Sequence, residues 1–511
     1  MSWKEVSPGR YERPLNGIEL IVVAKDGGDR EHFSLTSAVR VTIDLPLEER
    51  VSALREAWKA MRHDYPMIAA WRSGTSMVYE TPNPAALDTW LKETFVVTTE
   101  PATAEDLVAS FRPGPLATLH YLPHTSEIVL HSSHWRIDGV GMLLFLDRFF
   151  QAVVEPRKVQ FGDEHVRLSP DLEHVLSTTA PATPETERTA EAMFRVLADN
   201  APSMGFGVSP AAAPEGTRRR AVRFSQQDTT ALLAACKERG FRITAAVQAA
   251  MLVATQEFAS PATRNRPHIQ VCPTNLRPYL EPPFNSPDHA VIIYATSFPL
   301  ALSPHGTFAE HVATLREFYA RDISPATSPA LSAVAGYHYR LAVESPKLPP
   351  DCLPFSTEPF VDSLGLLDQY MSSEYGGGRV RVEEYYFMAE MLAKELIVPI
   401  WTFRGQLELS VCYNEALYKP EFIQKLLQRI SAILVTELGL PNCSPVPSSS
   451  WVVESKPESS SARKSTGTKK SRIFGNWRDD KGGKSKWSLS LSSLFFSFPV
   501  VASLPVLRKL I

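Results

Sequence analysis

Short apolar runs alternate with amphipathic stretches along the first 155 residues of this chain. Runs of β-branched and apolar residues predict strands, and apolar positions three and four apart predict helices. The predicted strands are 17–24, 38–45, 77–80, 95–99, 117–122 and 128–134, and the predicted helices are 47–63 and 140–154. This alternation of strands and helices is typical of an α/β fold.

The same pattern returns after residue 220. Helices are predicted at 225–239, with Ser225 as N-cap and Gly240 at the end, and at 244–258, 308–321 and 420–438. Strands are predicted at 268–273, 291–298, 364–371, 380–387, 397–403 and 406–413. A chain of 511 residues is too long for one core, so we expect a second lobe of the same α/β kind.

A Pro-rich stretch with one predicted helix, 185–199, separates the two halves. It ends in Arg218, Arg219 and Arg220, expected as a solvated linker end, with a phosphate contact as the alternative. The predicted organisation is therefore an N-terminal lobe over 1–155, a connector over 156–220 and a C-terminal lobe over 221–440.

The composition changes after residue 440. Residues 441–511 form a basic, low-complexity tail rich in Ser, Pro, Lys and Gly, and disorder is expected over 441–486. The apolar end, 487–507, has the length of a membrane anchor, but its six serines and two prolines favour a non-essential extension. No membrane association is therefore expected.

Composition and charge narrow the class of protein. With 44% hydrophobic and 21% charged residues, the chain is typical of a soluble globular protein. The net charge is −3 although the segment from 451 onward has 12 Lys and Arg against four Asp and Glu, so the preceding lobes are acidic. An acidic body argues against binding to nucleic acid.

The cysteines indicate the compartment. Five scattered residues, Cys236, Cys272, Cys352, Cys412 and Cys443, show no Cys-x-x-Cys spacing and are odd in number. This pattern predicts a reducing environment. Residues 1–13 contain no apolar run, so we expect no secretory signal and a cytoplasmic protein.

The strongest chemical signal is His134-Trp-Arg-Ile-Asp138-Gly139, between a predicted strand and a buried helix. A neutral imidazole at a sheet edge can take a proton from an alcohol near neutral pH. Asp138 could pair with a distant cation and lock the turn, and Gly139 permits a sharp bend. The alternative is a satisfied buried histidine beside a surface aspartate.

Other chemistries fit less well. His131 and His134 lie three apart on a predicted strand and point to opposite faces, so no metal site is expected. Gly376, Gly377 and Gly378 lack a following Lys-Ser/Thr and predict a turn, not a phosphate loop. The absence of Gly-x-Ser-x-Gly argues against an α/β-hydrolase.

Together with Asn275-Leu276-Arg277-Pro278, this motif makes residues 15–440 resemble the chloramphenicol-acetyltransferase-like acyltransferases. That superfamily includes the plant BAHD enzymes and the condensation domains of peptide synthetases. The likeness is greatest to the fungal O-acetyltransferases of trichothecene alcohols. Further similar stretches are 168–170, 244–252, 275–280, 363–365 and 409–438. The resemblance implies two similar lobes around a central channel.

It also implies roles for residues. His134 would be the general base, Asp138 and Gly139 would shape the site, and Arg277 would be the ion-pair partner of Asp138. The Asp-Phe-Gly-Trp-Gly motif of plant members is absent, and residues 362–365 are expected to occupy similar ground, so the CoA contacts are not predicted.

The implied function is that of a monomeric acetyltransferase of secondary metabolism. It would use acetyl-CoA as co-substrate, with no metal or prosthetic group, and a terpenoid or polyketide alcohol as acceptor. Two alternatives are an enzyme that takes its acyl group from a carrier protein and a non-catalytic binding module of the same fold. The absence of a carrier or adenylation segment and the intact His134 and Asp138 favour the acetyl-CoA-dependent enzyme over both alternatives.

Overall fold

The first compact unit of the chain is Met1–Val453, and the site lies within it. The structure, a computed structural model, describes residues 3–24, 31–112, 114–179, 183–208, 216–324, 328–344 and 357–448. The predicted disordered tail from 449 onward and its apolar end lie outside the described residues.

The strands are named β1 to β17 in chain order. They are Lys4–Ser7, Arg10–Pro14, Leu35–Ile43, Trp71–Ser73, Ser76–Glu80, Phe95–Val97, Thr118–Leu122, Glu127–Ser132, Thr217–Arg223, His268–Asn275, Ala295–Leu302, Pro359–Leu366, Glu374–Tyr375, Val380–Ala389, Leu396–Phe403, Gln406–Asn414 and Val446–Pro447.

The α-helices are named α1 to α12 in the same way. They are Gly17–Val23, Leu47–Asp64, Pro84–Thr94, Ala104–Ser110, Gly139–Val154, Leu172–Thr179, Pro184–Asn200, Gln226–Glu238, Ile243–Phe258, Phe308–Ala320, Val334–Val343 and Pro420–Glu437.

Two large sheets carry the architecture. A six-stranded sheet has the order β13-β14-β3-β8-β7-β6, and a five-stranded sheet has the order β12-β15-β16-β9-β17. The hairpin β10-β11 and the four-stranded sheet β1-β2-β5-β4 complete the described strands. Helix α5 packs in the core of the first half, and α9 and α12 pack together in the second.

The two halves of the chain share one sheet. Strand β14, from the second half, pairs antiparallel with β3 in the middle of the six-stranded sheet, with Tyr385 opposite Val39. The larger hydrophobic core accordingly draws residues from both halves, whereas a second core lies between the five-stranded sheet and its helices. Each of these two sheets pairs strands that are distant from one another in the sequence.

Most predicted elements are present, and three strand predictions need correction. The segment predicted as a strand at 17–24 is helix α1, because Asn16 and Glu19 form a capping box that starts a helix. The strand predicted at 364–371 is Pro359–Leu366, and the strand predicted at 291–298 begins only at Ala295.

The arginine triplet is also not a linker end. Its residues lie in β9, an inner strand of the five-stranded sheet. The Arg219 side chain is buried and pairs with the buried carboxylate of Glu408 on β16. Its guanidinium also lies over the rings of Tyr386 and Trp401. The alternative of a phosphate contact is therefore wrong for Arg219, whose charge is already paired.

The start of the low-complexity segment contributes to the fold. Val446–Pro447 pairs with β9 at Arg223 and Val222, and Cys443 packs against the second core. The four described cysteines are buried free thiols, whereas Cys352 lies outside the described residues. In the described part of the chain, none of the helices is long and apolar enough to cross a membrane.

The hairpin between β15 and β16 provides a test of the fold. Phe403 and Gln406 pair across a two-residue turn in which Arg404 and Gly405 both have positive φ, 49° and 74°. We predict that Gly405→Ala lowers the free energy of unfolding by about 1–2 kcal/mol, because a Cβ is strained in the left-handed region. Denaturant unfolding measures this loss.

The matched control is Gly114→Ala. No atom of the described residues lies within 4 Å of the added Cβ there, and the backbone is not left-handed. The control should therefore be neutral or slightly stabilising. Equal losses for the two variants would contradict the predicted turn strain.

Candidate active site

His134 lies in the turn that follows β8. The strand ends at Ser132, two residues before the end predicted from the sequence, and helix α5 begins at Gly139. The His134 Nδ1 atom lies 2.8 Å from the carbonyl oxygen of Ile137. Because a carbonyl can only accept, Nδ1 carries the proton, and the lone pair of a neutral ring is on Nε2.

The surroundings keep this imidazole neutral. Burial lowers the pKa of His134 below its usual range, and the Ile137 carbonyl and the Asp138 charge only partly offset this effect. The ring of Phe33 stands edge-on to the imidazole, with 6.5 Å between the ring centroids. The geometry therefore offers Nε2 as a proton acceptor to a molecule in the cavity.

Asp138 holds the start of α5 and the second half of the chain together. Its Oδ1 accepts from the Gly141 amide at 2.6 Å as the helix N-cap, and its Oδ2 accepts from the Tyr294 amide at 2.9 Å. Arg277 Nη1 donates to both oxygens at 2.9 and 2.8 Å. The side chains are only 5% and 4% exposed, so this is a buried ion pair.

A second nitrogen of Arg277 fixes the chain before β11. Nη2 lies 3.3–3.4 Å from the carbonyl oxygens of His289, Ala290 and Ile292. The carboxylate of Asp138 thus accepts hydrogen bonds from the first turn of α5 and from Arg277, and the structure shows no hydrogen bond between it and His134. Arg277 is the ion-pair partner of Asp138 that was expected from the sequence.

Two side chains that the sequence did not single out hold the turn on both sides of His134. The carboxylate of Glu31 accepts from Ser133 Oγ at 2.6 Å and from Trp135 Nε1 at 2.9 Å. Arg136 is fully buried, and its guanidinium donates to the carbonyls of Ala70 and Pro115 at 2.9 and 2.6 Å. The position of this arginine between two large apolar residues was the available signal for this anchor.

Two glycines allow the close packing around the turn. A Cβ at Gly139 would lie 2.9 Å from the Leu364 side chain. At Gly141 a Cβ would collide with the carbonyl oxygen of Ala290, the same loop that Arg277 holds. Gly141 was not predicted as a site residue, because its requirement depends on a segment 149 positions away.

His134 faces a cavity of about 190 Å³ between the sheets. The wall is mainly apolar, with side chains from α1, β3, β10, β11, α11, β12, β14 and β15. Its residues are Ile18, Ile21, Val22, Phe33, Leu35, His134, Asp138, Gly139, Val140, Val271, Pro273, Thr274, Asn275, Ile293, Ala295, Thr296, Ser297, Tyr337, His338, Leu341, Phe360, Asp362, Ser363, Leu364, Phe387, Ala389 and Ile397. An apolar cavity with a few polar groups is typical of a site for a small molecule.

The residues expected at the site from 362–365 are partly there. Asp362, Ser363 and Leu364 line the cavity, whereas Gly365 is exposed at the end of β12. Burial and, to a smaller extent, the charge of Asp138 raise the pKa of Asp362 to about 6. Within the described part of the chain, no three His, Cys, Asp or Glu side chains cluster as metal ligands would.

The ion pair makes a testable prediction. We expect Asp138→Asn and Arg277→Gln each to lower the free energy of unfolding by about 3–5 kcal/mol, because each leaves a buried charge without its partner. The asparagine retains an oxygen for the helix cap. The double variant should lose much less than the sum of the two, as denaturant unfolding of the four proteins will measure. Additive losses would refute the coupling.

A second prediction concerns the protonation of His134. We expect its imidazole to titrate below the ordinary value of 6.5, because burial disfavours the charged ring. NMR of histidine-labelled protein measures the titration, with His134→Gln as the variant that assigns the signal. A midpoint at or above 6.5 would contradict the burial of the ring.

Comparison with known proteins gives independent findings. The family described as phthiocerol/phthiodiolone dimycocerosyl transferase C-terminus matches residues 213–310. Acetyltransferase pigO of Monascus ruber is 33% identical over 463 residues, which cover 86% of this chain and 99% of that protein. O-acetyltransferase pigM of Monascus ruber is also 33% identical, over 86% of this chain and 88% of its own length.

A solved structure is similar over nearly the whole described part. The TRI3 trichothecene 15-O-acetyltransferase of Fusarium sporotrichioides superposes with a TM-score of 0.67 at 20% identity, covering 85% of this chain and 97% of that one. The likeness confirms the α/β fold of two lobes expected from the sequence.

Proposed function

Since this chain belongs to the family of fungal acetyltransferases that includes pigO of Monascus ruber, we propose that it transfers an acetyl group from acetyl-CoA to a hydroxyl of a secondary metabolite. A terpenoid alcohol, trichothecene-like in size, or a polyketide alcohol is the proposed acceptor. The observation that carries the proposal is the fixed tautomer of His134, whose Nε2 lone pair is available to the apolar cavity.

The first step is proton removal from the acceptor. Nε2 of His134 takes the hydroxyl proton as the alcohol oxygen attacks the carbonyl carbon of the acetyl thioester. The Ile137 carbonyl holds Nδ1–H, so the ring keeps its orientation as it becomes an imidazolium. Burial lowers the pKa of the ring, which makes it a weaker base but favours the neutral form that can accept a proton.

The second step is collapse of the tetrahedral intermediate. The C–S bond breaks, the ester of the acceptor forms, and the CoA sulfur takes the proton from the His134 imidazolium. Atoms and charges balance without a metal or a further co-reactant. Asp138 and Arg277 act only by holding the start of α5 and the chain before β11 around the cavity.

The acceptor fits the apolar part of the cavity. Side chains such as Ile18, Val271, Phe360 and Phe387 offer surface to a hydrocarbon skeleton. Burial of such a skeleton contributes about 25 cal/mol per Å² of apolar surface removed from water. We propose acetyl-CoA as a co-substrate that enters from solvent and no resident cofactor.

We predict that His134→Ala lowers kcat/KM for acetyl transfer by about 10²–10⁴-fold, because the general base is lost. The measurement is transfer of labelled acetyl from acetyl-CoA to a panel of terpenoid and polyketide alcohols. The control is His305→Ala, which removes an exposed histidine. The fold of each variant is checked by its unfolding curve.

Near wild-type turnover by a folded His134→Ala protein would refute the mechanism. The same assay with an acetylated carrier protein in place of acetyl-CoA tests the alternative donor. Transfer from the carrier protein alone would replace acetyl-CoA in the proposal, and transfer from neither donor by the wild type would favour a binding module.

A further inference from the structure

A second carboxylate faces the cavity from the wall formed by β12. On this strand the side chains of Phe360, Asp362, Ser363 and Leu364 line the cavity. Leu364 packs against Gly139, the first residue of α5, so this wall lies beside the His134 turn. The proposed reaction does not use Asp362.

The carboxylate of Asp362 accepts no hydrogen bond from the described part of the chain, in contrast to Asp138. Asp138 accepts hydrogen bonds from an amide of the helix that it caps, from the Tyr294 amide and from Arg277. Asp362 is half-buried, and a carboxylate in a cavity wall can take hydrogen-bond donors or a cation as partners from a bound molecule. The two aspartates that line the cavity therefore differ. The described part of the chain supplies donors to Asp138 and none to the carboxylate of Asp362.

The groups around Asp362 do not neutralise it. Its charged neighbour, Asp138, is itself negative, and the neighbouring Tyr385, Tyr319 and Cys412 stay uncharged because burial raises their pKa values. The two histidines of the wall, His134 and His338, stay neutral because burial lowers theirs. None of the described residues that line the cavity is a lysine or an arginine.

We infer that Asp362 is a specificity-determining residue that accepts a hydrogen bond from a second donor group of the acceptor, either a hydroxyl or a protonated amine. The acceptor's reacting hydroxyl lies at His134 while this second group lies at β12. The inference rests on the proposed function and narrows the acceptor to a diol or an amino alcohol on an apolar skeleton. A bound acceptor would then supply a hydrogen bond that the described part of the protein does not.

The test compares matched acceptors with acetyl-CoA as donor. One pair is a terpenoid diol and its mono-O-methyl ether, and the other is an amino alcohol and the analogue in which carbon replaces the nitrogen. We expect the wild type to prefer the donor-bearing member by about 10- to 100-fold in kcat/KM, because hydrogen bonds to charged groups have that strength. Asp362→Asn should reduce this ratio to within about threefold.

The control variant is Glu374→Gln, which neutralises an exposed carboxylate of β13 and should keep the wild-type ratio. A larger ratio for the amino alcohol pair would assign a cation at Asp362, and similar ratios would assign a neutral donor. Wild-type transfer without preference for either donor-bearing member would overturn this inference alone. Absence of transfer by the wild type to every acceptor would remove the proposed function first.

A stability measurement without any acceptor tests the same carboxylate. The pKa of Asp362 in the folded chain is raised above that of the unfolded chain, so ionisation opposes folding as the pH rises from about 4 through 6. We therefore expect Asp362→Asn to raise Tm at pH 8, with a smaller difference at pH 4. A lower Tm at pH 8 would show that the protein itself supplies a partner and would overturn the inference.

Discussion

The buried ion pair of Asp138 and Arg277 is the interaction on which the geometry of the site depends. The carboxylate caps α5, and the guanidinium ties it to the carbonyls of the segment before β11. Desolvation of two charges offsets much of their attraction, so the pair contributes position more than net stability. The segment it holds leaves no room for a side chain at Gly141, so the helix can approach only where a glycine stands.

Hydrogen bonds of three further residues hold the imidazole in place relative to this helix. The Ile137 carbonyl orients the ring of His134, Glu31 ties Ser133 and Trp135, and Arg136 anchors the turn to neighbouring loops. Since each is a hydrogen bond to a group with little access to water, breaking one leaves a polar atom unpaired. The imidazole is thus held by its surroundings in the absence of a bound molecule.

The cavity exists because the two halves of the chain share structure. Phe387 and Ala389 of β14 reach it from the six-stranded sheet, and Phe360 and Asp362 of β12 reach it from the five-stranded sheet. Pairing of β14 with β3 places a strand from the second half of the chain in the sheet that forms one of these walls. Asp138 is paired with Arg277, whereas the carboxylate of Asp362 accepts no hydrogen bond from the described residues and faces the cavity between the walls.

The sequence by itself determined the elements and the reactive turn. Periodicity located α2, α9 and α12, and the His134–Gly139 motif with Arg277 indicated the base and its supporting pair, because these signals are local or repeat a family pattern. Helix α1 was not predicted, because a short apolar run is equally compatible with a strand unless its N-cap is recognised. Only the tertiary structure decided that Arg219 is buried, that β14 joins the first sheet and that Asp362 faces the cavity. Those properties depend on residues distant in the chain, whose contacts no local pattern records.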